Sequence, residues 1–276
     1  MDAGVDRQSA ALAFDAVTCT FVAQDKRTPG YTAIDAVSLH VGAGEFVSVV
    51  GPTGCGKSTL LNVAAGLLAP SRGGVAVFGR SLEGLNRRAG YMFQSDALMP
   101  WRTALANITA GLEFRGIARE QAAHEGTLWL ERVGLTGFGD RYPHQLSGGM
   151  RKRTALAQTL ALDPDIILMD EPFSALDIQT RQLMENELLQ LWAAKRKAVL
   201  FITHDLDEAI ALSDRVVVFS AGPASRPIGT FAVDLPRPRD VAEVRVHPRF
   251  VELHRAIWDV LRDEVLKGYA QQARRA

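Results

Sequence analysis

Residues 47–59 read Val-Ser-Val-Val-Gly-Pro-Thr-Gly-Cys-Gly-Lys-Ser-Thr, and an apolar, helix-forming run follows from Leu60 to Leu68. The glycine, lysine and serine positions fit the phosphate-binding pattern G-x-x-x-x-G-K-[ST]. Glycines let the backbone curl until successive N–H groups point at phosphate oxygens, and the start of the helix adds the positive end of its dipole. The stretch therefore predicts a strand, a phosphate loop and a helix, in that order.

The phosphate loop predicts a triphosphate site with a bound cation. Lys57 is expected to reach the β- and γ-phosphates, and the hydroxyl of Ser58 is expected to be a ligand of Mg²⁺. The residues predicted to contact the nucleotide form one continuous run, namely Gly51, Pro52, Thr53, Gly54, Cys55, Gly56, Lys57, Ser58 and Thr59.

Composition narrows the class of protein. The 276 residues include 31 basic and 31 acidic side chains, so no net charge draws the chain to nucleic acid. Two cysteines, Cys19 and Cys55, make no disulfide framework and are typical of a reducing compartment. The sequence shows neither a signal peptide nor an apolar stretch of membrane-spanning length. We expect another subunit to span the membrane if the protein works on one.

Strand and helix patterns alternate along the chain. The predicted strands are Leu12–Phe21, Ala33–Val41, a short strand or hairpin arm at 75–79, Ile166–Met169, Val199–Thr203 and Arg215–Phe219. The predicted helical stretches are 105–135, 147–162, Gln179–Lys195 and Leu206–Ser213. Almost purely apolar strands are expected in a parallel sheet covered on both faces. The pattern thus predicts an α/β fold with a largely parallel sheet.

Two further segments carry candidate chemistry. Asp170 and Glu171 end an apolar strand, where Asp170 could hold Mg²⁺ through its water shell and Glu171 could accept a proton from the attacking water. Leu146-Ser-Gly-Gly-Met150, the 146–150 segment, opens a helix with a capping serine and free N–H groups, which makes it either a second anion site or a simple cap. One chain has little need of two γ-phosphate sites, so this segment could serve a nucleotide held by another copy.

Five motifs in this order resemble those of the ATP-binding subunit of an ABC transporter, over nearly the whole chain. They are the phosphate loop at 51–59, Gln94, the 146–150 segment, residues 166–172 with 174–177 after them, and His204. The resemblance implies a P-loop NTPase (RecA-like) core with a mainly parallel sheet, an antiparallel β subdomain and an α-helical subdomain. The implied domains are a flexible tail at 1–10, an ATPase domain at 11–235 (core 11–93 and 163–235, helical subdomain 94–162), and a linker with a C-terminal amphipathic helix at 236–276.

The resemblance also implies roles within a dimer that sandwiches two ATP molecules with Mg²⁺. In that family the second ATP-binding subunit, here expected to be identical, pairs head to tail with the first. The residues that would close over the partner's γ-phosphate are Ser147, Gly148 and Gly149. Asp177 would cross the dimer interface, Gln94 would sense Mg²⁺ and the attacking water, and His204 would hold the γ-phosphate. The catalytic set is thus Glu171, His204, Lys57 and Gln94, and the metal set is Ser58, Gln94 and Asp170.

The aromatic side chain that would stack on adenine has two candidates. Phe21 occupies the place of the stacking residue in the family pattern, and Tyr31 is the rival. Either ring could supply a π face to the base. Lys152 departs from the glutamine that often follows the 146–150 segment in the family, which is expected to alter contacts within the helical subdomain.

Residues 95–108 and 234–240 resemble the corresponding stretches of importers for nitrate, sulfonates and taurine. That resemblance implies a peripheral subunit on the cytoplasmic face of the inner membrane, an integral membrane permease, and indirectly a solute-binding protein. In that group the permease contacts the surface near Leu98, Pro100 and Trp101, although a tryptophan buried in the helical subdomain is the alternative. An apolar stripe from Phe250 to Leu261 predicts a short C-terminal helix docked on this domain.

Other functions stay open at this stage. A soluble ABC-type ATPase acting on nucleic acid or the ribosome would need a coiled coil, a second cassette or a basic face, and the sequence shows none of these. A non-hydrolysing regulatory module is disfavoured because Lys57, Asp170, Glu171 and His204 are all present. The cargo could be a nitrate-, sulfonate- or taurine-like anion or a pyrimidine vitamin precursor.

Overall fold

The computed structural model describes residues 10–22, 30–174 and 176–273. The predicted N-terminal tail, apart from Ala10, and most of the predicted turn at 24–30 lie outside the described residues. The described strands are β1 (Ala10–Phe21), β2 (Tyr31–Gly42), β3 (Phe46–Val50), β4 (Arg72–Val77), β5 (Arg80–Ser81), β6 (Ala89–Met92), β7 (Ile166–Asp170), β8 (Ala198–Ile202), β9 (Arg215–Phe219) and β10 (Pro227–Ala232). The described helices are α1 (Lys57–Ala64), α2 (Ala104–Phe114), α3 (Arg119–Arg132), α4 (Gly148–Ala161), α5 (Ile178–Lys195), α6 (Leu206–Leu212), α7 (Val241–Val244) and α8 (Pro248–Ala273), with a 3₁₀ turn at Pro143–Gln145.

The larger sheet confirms the predicted parallel core. Its strand order is β10-β9-β3-β8-β7-β6, and β10 alone in that sheet runs antiparallel to its neighbour. Every residue of β3, β7 and β8 is buried, as expected for strands covered by helices on both faces. The phosphate loop follows β3, Glu171 follows β7 and His204 follows β8. Because these strands are adjacent and parallel, the three candidate segments leave the same edge of the sheet.

The smaller sheet is antiparallel and has the order β2-β1-β4-β5. Strands β1 and β2 pair from Ala10 opposite Gly42 to Phe21 opposite Tyr31. The inner faces of this sheet and of the parallel sheet share one apolar core, which includes Phe14, Ile34 and Leu60. This packing brings the end of the β1–β2 hairpin next to the phosphate loop.

The helical stretch expected at 105–135 is two helices rather than one. Helix α2 ends at Phe114, and Gly116 has a φ of 82°, a left-handed conformation that glycine adopts without steric cost. Helix α3 then starts at Arg119 and runs back to pack with α2 and α4 around a small apolar core. Helix α4 begins directly after Ser147, as predicted.

The C-terminal helix α8 is 26 residues long, so the short helix expected from the sequence was wrong in length. Its buried apolar stripe contains Phe250, Leu253, Ile257 and Leu261, and it joins the same core as α6 and β9. Beyond Leu261 the helix still contacts the domain, because Val265 packs against the core and a Cβ atom on Gly268 would lie 3.4 Å from Cβ of Pro52. No helix in the described part of the chain is long and apolar enough to cross a membrane.

Candidate active site

The phosphate loop connects β3 to α1 and folds around its own lysine. Lys57 is the first residue of α1 and is 5% exposed. Its Nζ donates hydrogen bonds to the carbonyl oxygens of Gly51 (2.8 Å) and Pro52 (3.0 Å). This arrangement places one positive charge at the centre of a ring of backbone groups, where a phosphate group would be attracted.

Two glycines of the loop need their left-handed backbone for different reasons. Gly56 has a φ of 94°, and a Cβ atom there would lie 2.7 Å from Cγ2 of Ile34 and 3.0 Å from the carbonyl oxygen of Ala33. Gly54 has a φ of 77°, but a Cβ atom there would meet no atom within 4 Å. Gly56 is therefore fixed both by its conformation and by the close approach of β2, whereas Gly54 is fixed by conformation alone.

Gly56→Ala is expected to destabilise the fold by about 3 kcal/mol, because left-handed strain of about 1–2 kcal/mol adds to a clash with β2. Gly54→Ala is the matched control and is expected to cost about 1 kcal/mol, since it carries the strain without the clash. Chemical denaturation of both variants measures the two costs. Equal losses of stability would show that β2 does not constrain the loop.

Asp170 ends β7 beside Ser58 of the phosphate loop. The Asp170 carboxyl is buried and forms a hydrogen bond with the Ser58 side chain. Burial raises the pKa of Asp170, while the Ser58 hydrogen bond and nearby Lys57 oppose that rise. Oxygen donors of this kind suit Mg²⁺, and no group of three or more His, Cys, Asp or Glu side chains in the described residues could hold a metal alone. A cation at this pair would take its other ligands from phosphate and water.

Glu171 brings three predicted residues together. Its Oε2 atom lies 3.1 Å from Nδ1 of His204 and accepts a hydrogen bond from Nε2 of Gln94 at 3.4 Å. The Glu171 backbone has a φ of 44°, an uncommon conformation for a non-glycine residue that costs about 1–3 kcal/mol and is concentrated at functional sites. The end of β7, the end of β8 and the segment after β6 thus converge on one carboxylate.

The 146–150 segment starts at the buried Leu146 and reaches the surface at the next two residues. Ser147 caps α4, where its hydroxyl accepts a hydrogen bond from the Met150 amide at 3.2 Å, and both Ser147 and Gly148 are exposed. A Cβ atom on Gly149 would lie 3.4 Å from Cγ2 of Thr180 in α5. Asp177 caps that same helix by accepting a hydrogen bond from the Thr180 amide, which lowers the pKa of Asp177. The two segments predicted to meet a partner are therefore neighbours.

The candidate adenine contacts lie opposite each other at the end of the β1–β2 hairpin. Phe21 is 45% exposed and Tyr31 is 37% exposed. The Tyr31 hydroxyl donates a hydrogen bond to the carbonyl oxygen of Gly54 in the phosphate loop at 3.4 Å. Both rings are available beside the loop, and Tyr31 also contacts it.

Three further residues support the site through contacts that the sequence did not predict. Lys152 is buried in α4, and its Nζ donates to the Gln94 carbonyl and lies 3.5 Å from Asp96, so it connects the helix of the 146–150 segment to the Gln94 segment. Ser225 donates to the carbonyl oxygen of Cys55 in the phosphate loop. Glu264 of α8 accepts a hydrogen bond from the Ala221 amide at 2.7 Å. Lys152 stands out in the sequence only as a departure from the family pattern, because Arg151 and Arg153 flank it, whereas the other two give no sequence signal.

The phosphate loop, the paired Ser58 and Asp170, and the Glu171 cluster lie together at one edge of the parallel sheet, an arrangement that suits nucleotide hydrolysis. The sequence profile of the ABC transporter family matches residues 34–174, half of the chain. The chain belongs to the ABC transporter family. It is an ATP-binding subunit of that family, and its enzymatic activity is ATP hydrolysis.

Several relatives match nearly the whole of this chain. An uncharacterised ABC transporter ATP-binding protein of Methanocaldococcus jannaschii is 46% identical over 95% of this chain and 96% of its own. The taurine import ATP-binding protein of Pseudomonas aeruginosa is 40% identical over 91% of this chain and 96% of its own. The nitrate import ATP-binding protein of Synechococcus elongatus is 40% identical over 89% of this chain, which spans 36% of that protein.

A solved structure shows the same cassette fold. It is a dimeric ATP-binding cassette in a post-hydrolysis state, bound to ADP and phosphate, with a TM-score of 0.72 and 30% sequence identity. The match covers 82% of this chain and all of that one. This similarity confirms the predicted P-loop core with its parallel sheet, antiparallel sheet and helices.

Proposed function

We propose that the chain is the ATP-hydrolysing subunit of a bacterial importer that takes up a small solute through a separate permease. One observation carries the catalytic part of the proposal, namely the contact of Glu171 with both Gln94 and His204 at the sheet edge that also holds the phosphate loop. The taurine and nitrate import relatives support the importer part. A nitrate-, sulfonate- or taurine-like anion is the proposed cargo, with a pyrimidine vitamin precursor as the alternative.

In the proposed reaction, Glu171 accepts the proton of the water that attacks the γ-phosphate. Gln94 orients that water, and His204 contacts the phosphate while its Nδ1 faces Glu171. Lys57 stabilises the charge that develops on the transferred phosphoryl group. Ser58 and Asp170 would hold Mg²⁺, with Gln94 nearby, and the ion would supply further neutralisation of phosphate charge.

Two copies are proposed to pair head to tail. The exposed 146–150 segment of one copy would close over the triphosphate at the other copy's Lys57, and Asp177 would lie at the same interface. This proposal is supported by the exposure of Ser147 and Gly148, by their position next to the start of α5, and by the dimeric state of the solved cassette. Hydrolysis would then reopen the dimer and move the bound permease.

The permease is proposed to bind the surface between β6 and α2, which would place this subunit on the cytoplasmic face of the inner membrane. Trp101 is 73% exposed, so the alternative of a tryptophan buried in the helical subdomain was wrong. Phe93 and Phe114 border an adjacent cleft of about 240 Å³ and are exposed as well. Exposed aromatic side chains of this kind are enriched at interface hot spots. A secreted solute-binding protein would deliver the cargo to the permease on the opposite side of the membrane.

Trp101→Ala is expected to weaken binding of the permease by about 2 kcal/mol or more, the usual loss at an interface hot spot, without changing ATP hydrolysis by the isolated chain. Co-purification with a candidate permease and an ATPase assay measure the two effects. Leu183→Ala is the control, because Leu183 is equally exposed but lies on α5. Unchanged permease binding by the Trp101 variant would place the contact elsewhere.

An ATPase assay of the purified chain tests the proposed function itself. We expect Mg²⁺-dependent release of phosphate at a rate that DNA, RNA and ribosomes leave unchanged. Stimulation by nucleic acid or ribosomes would favour the soluble ATPase instead, and absence of hydrolysis would favour the regulatory module. Neighbouring reading frames for a permease and a secreted solute-binding protein would support the importer and narrow its cargo.

A further inference from the structure

A pocket of about 300 Å³ lies where the last turns of α5 meet the segment after β10. Three arginines line it, Arg196 at the end of α5 and Arg237 and Arg239 in the following segment. The pocket shares no lining residue with the phosphate loop or with the cavity beside His204. It is therefore separate from the site described above.

The three arginines carry more charge than the carboxylate beside them neutralises. Arg237 pairs with Asp214 at 2.8 Å, and its Nη1 atom donates to no acceptor among the described residues. The guanidinium of Arg196 forms neither an ion pair nor a hydrogen bond with any residue that the structure describes. Two sets of N–H donors are thus available to a ligand at this pocket.

Arg239 holds the pocket wall in place. It donates only to backbone carbonyl oxygens, which belong to residues 210, 211, 213, 233 and 235. Its Nε atom is buried without an acceptor in the described structure. Burial, with the nearby Arg237 charge, lowers the pKa of Arg239 to about 10. No carboxylate forms an ion pair with Arg239 in the part of the chain that the structure describes.

The ring of Trp192 contacts two of the guanidinium groups. Cζ of Arg196 lies 4.5 Å from the ring centroid and Cζ of Arg237 lies 4.2 Å from it. Trp192 is buried, and its Nε1 donates to the Lys197 carbonyl, which fixes the ring. The planar ring therefore orients both arginines before any ligand arrives, although their like charges repel each other.

We propose that this arginine pocket binds a small, doubly charged oxyanion of the phosphate class. Guanidinium groups match phosphate oxygens with paired N–H donors, and the uncompensated charge would be neutralised by a dianion. The volume exceeds that of phosphate alone, so the same chemistry could be supplied by inorganic phosphate or by a small phosphate monoester. In this proposal Arg196 and Arg237 contact the anion. The hydrogen bonds of Arg239 hold the segment after β10 against the end of α6.

Calorimetric titration of the full chain tests the proposal, with inorganic phosphate and glycerol 3-phosphate as separate probes. The titrations use the Lys57→Ala variant, so that the phosphate loop contributes little binding. We expect binding of at least one probe there, and a loss of about 10-fold or more when Arg196→Ala is added. Arg132→Ala is the matched control, because Arg132 is also exposed and stacked on a tryptophan, Trp129, but lies outside this pocket.

The two probes distinguish the sources of the phosphate group. Tighter, Arg196-dependent binding of inorganic phosphate assigns the pocket to the free ion, and tighter binding of glycerol 3-phosphate assigns it to a monoester. The proposal is overturned if neither probe binds to the Lys57→Ala chain. It is equally overturned if Arg196→Ala leaves binding unchanged, or if Arg132→Ala weakens it as much. Thermal unfolding of each variant verifies that the fold is retained.

Discussion

Glu171→Gln is expected to lower the rate of ATP hydrolysis by about 10³-fold and to leave ATP affinity unchanged. Glutamine keeps the size of the side chain and its hydrogen-bonding reach, but it cannot accept the proton of the attacking water. The 3.1 Å and 3.4 Å contacts of the carboxylate with His204 and Gln94 show that this one group is central to the site. Phosphate release and equilibrium binding of a fluorescent ATP analogue measure the two quantities.

The same variant is also expected to accumulate as a closed dimer when ATP is added, which size-exclusion chromatography would detect. Glu252→Gln is the matched control, because Glu252 is an exposed carboxylate on α8 paired with Arg249. That control should hydrolyse ATP normally. Turnover by the Glu171 variant within about tenfold of normal would assign the proton acceptor to another group.

Lys57→Ala is expected to weaken ATP binding by about 10²-fold, because a hydrogen bond from a charged donor contributes about 1.5–3 kcal/mol. The variant also loses the bonds that hold the Gly51 and Pro52 carbonyls, so the loop would no longer be arranged before the nucleotide arrives. Equilibrium binding of the fluorescent ATP analogue measures the loss directly.

Lys267→Ala serves as the control for charge, since Lys267 is an exposed lysine of α8 that pairs with Glu264. Its ATP affinity should match that of the natural chain. If Lys57→Ala keeps its affinity and loses only its hydrolysis rate, then the lysine acts in the transition state and the assigned role in binding is wrong.

The parallel core could be predicted because its strands are short, apolar and bounded by polar residues. Arg215–Phe219 was predicted with its observed bounds, β7 differs by one residue at its end, and β8 is displaced by one residue at both ends. The phosphate loop was equally readable, since its glycines and lysine are required by local backbone geometry. Burial on both faces and local backbone conformation each leave a pattern in neighbouring residues. Such patterns can therefore be recognised from the sequence without knowledge of the tertiary structure.

Features that depend on tertiary packing could not be predicted from sequence patterns. The break between α2 and α3 is set by one glycine, Gly116, within a continuous helical pattern. Helix α8 continues past the predicted stripe, where Val265 packs against the core and Gly268 lies beside Pro52, and these contacts leave no periodic signal. Exposure of Trp101 could not be distinguished from burial, because an isolated aromatic residue has no periodicity.

The candidate site likewise has features that the sequence predicts and features that depend on packing. The identities of Glu171, His204 and Gln94 came from motifs, but their common contact depends on the adjacency of β7 and β8 and on the segment after β6. The arginine pocket joins the end of α5 to a segment about forty residues later in the sequence, and no pattern in either part indicates that the two meet. Tertiary structure alone makes such groups neighbours.

A mixing experiment tests the central claim that each ATP site is built from two copies. Lys57→Ala and Ser147→Arg chains are each expected to be inactive alone, because every homodimeric site lacks one half. After mixing, a heterodimer regains one intact site, formed by the natural Lys57 of one copy and the natural Ser147 of the other. We expect about a quarter of normal ATPase activity in an equal mixture with random pairing. An equal mixture that stays as inactive as the separate variants would contradict the shared site.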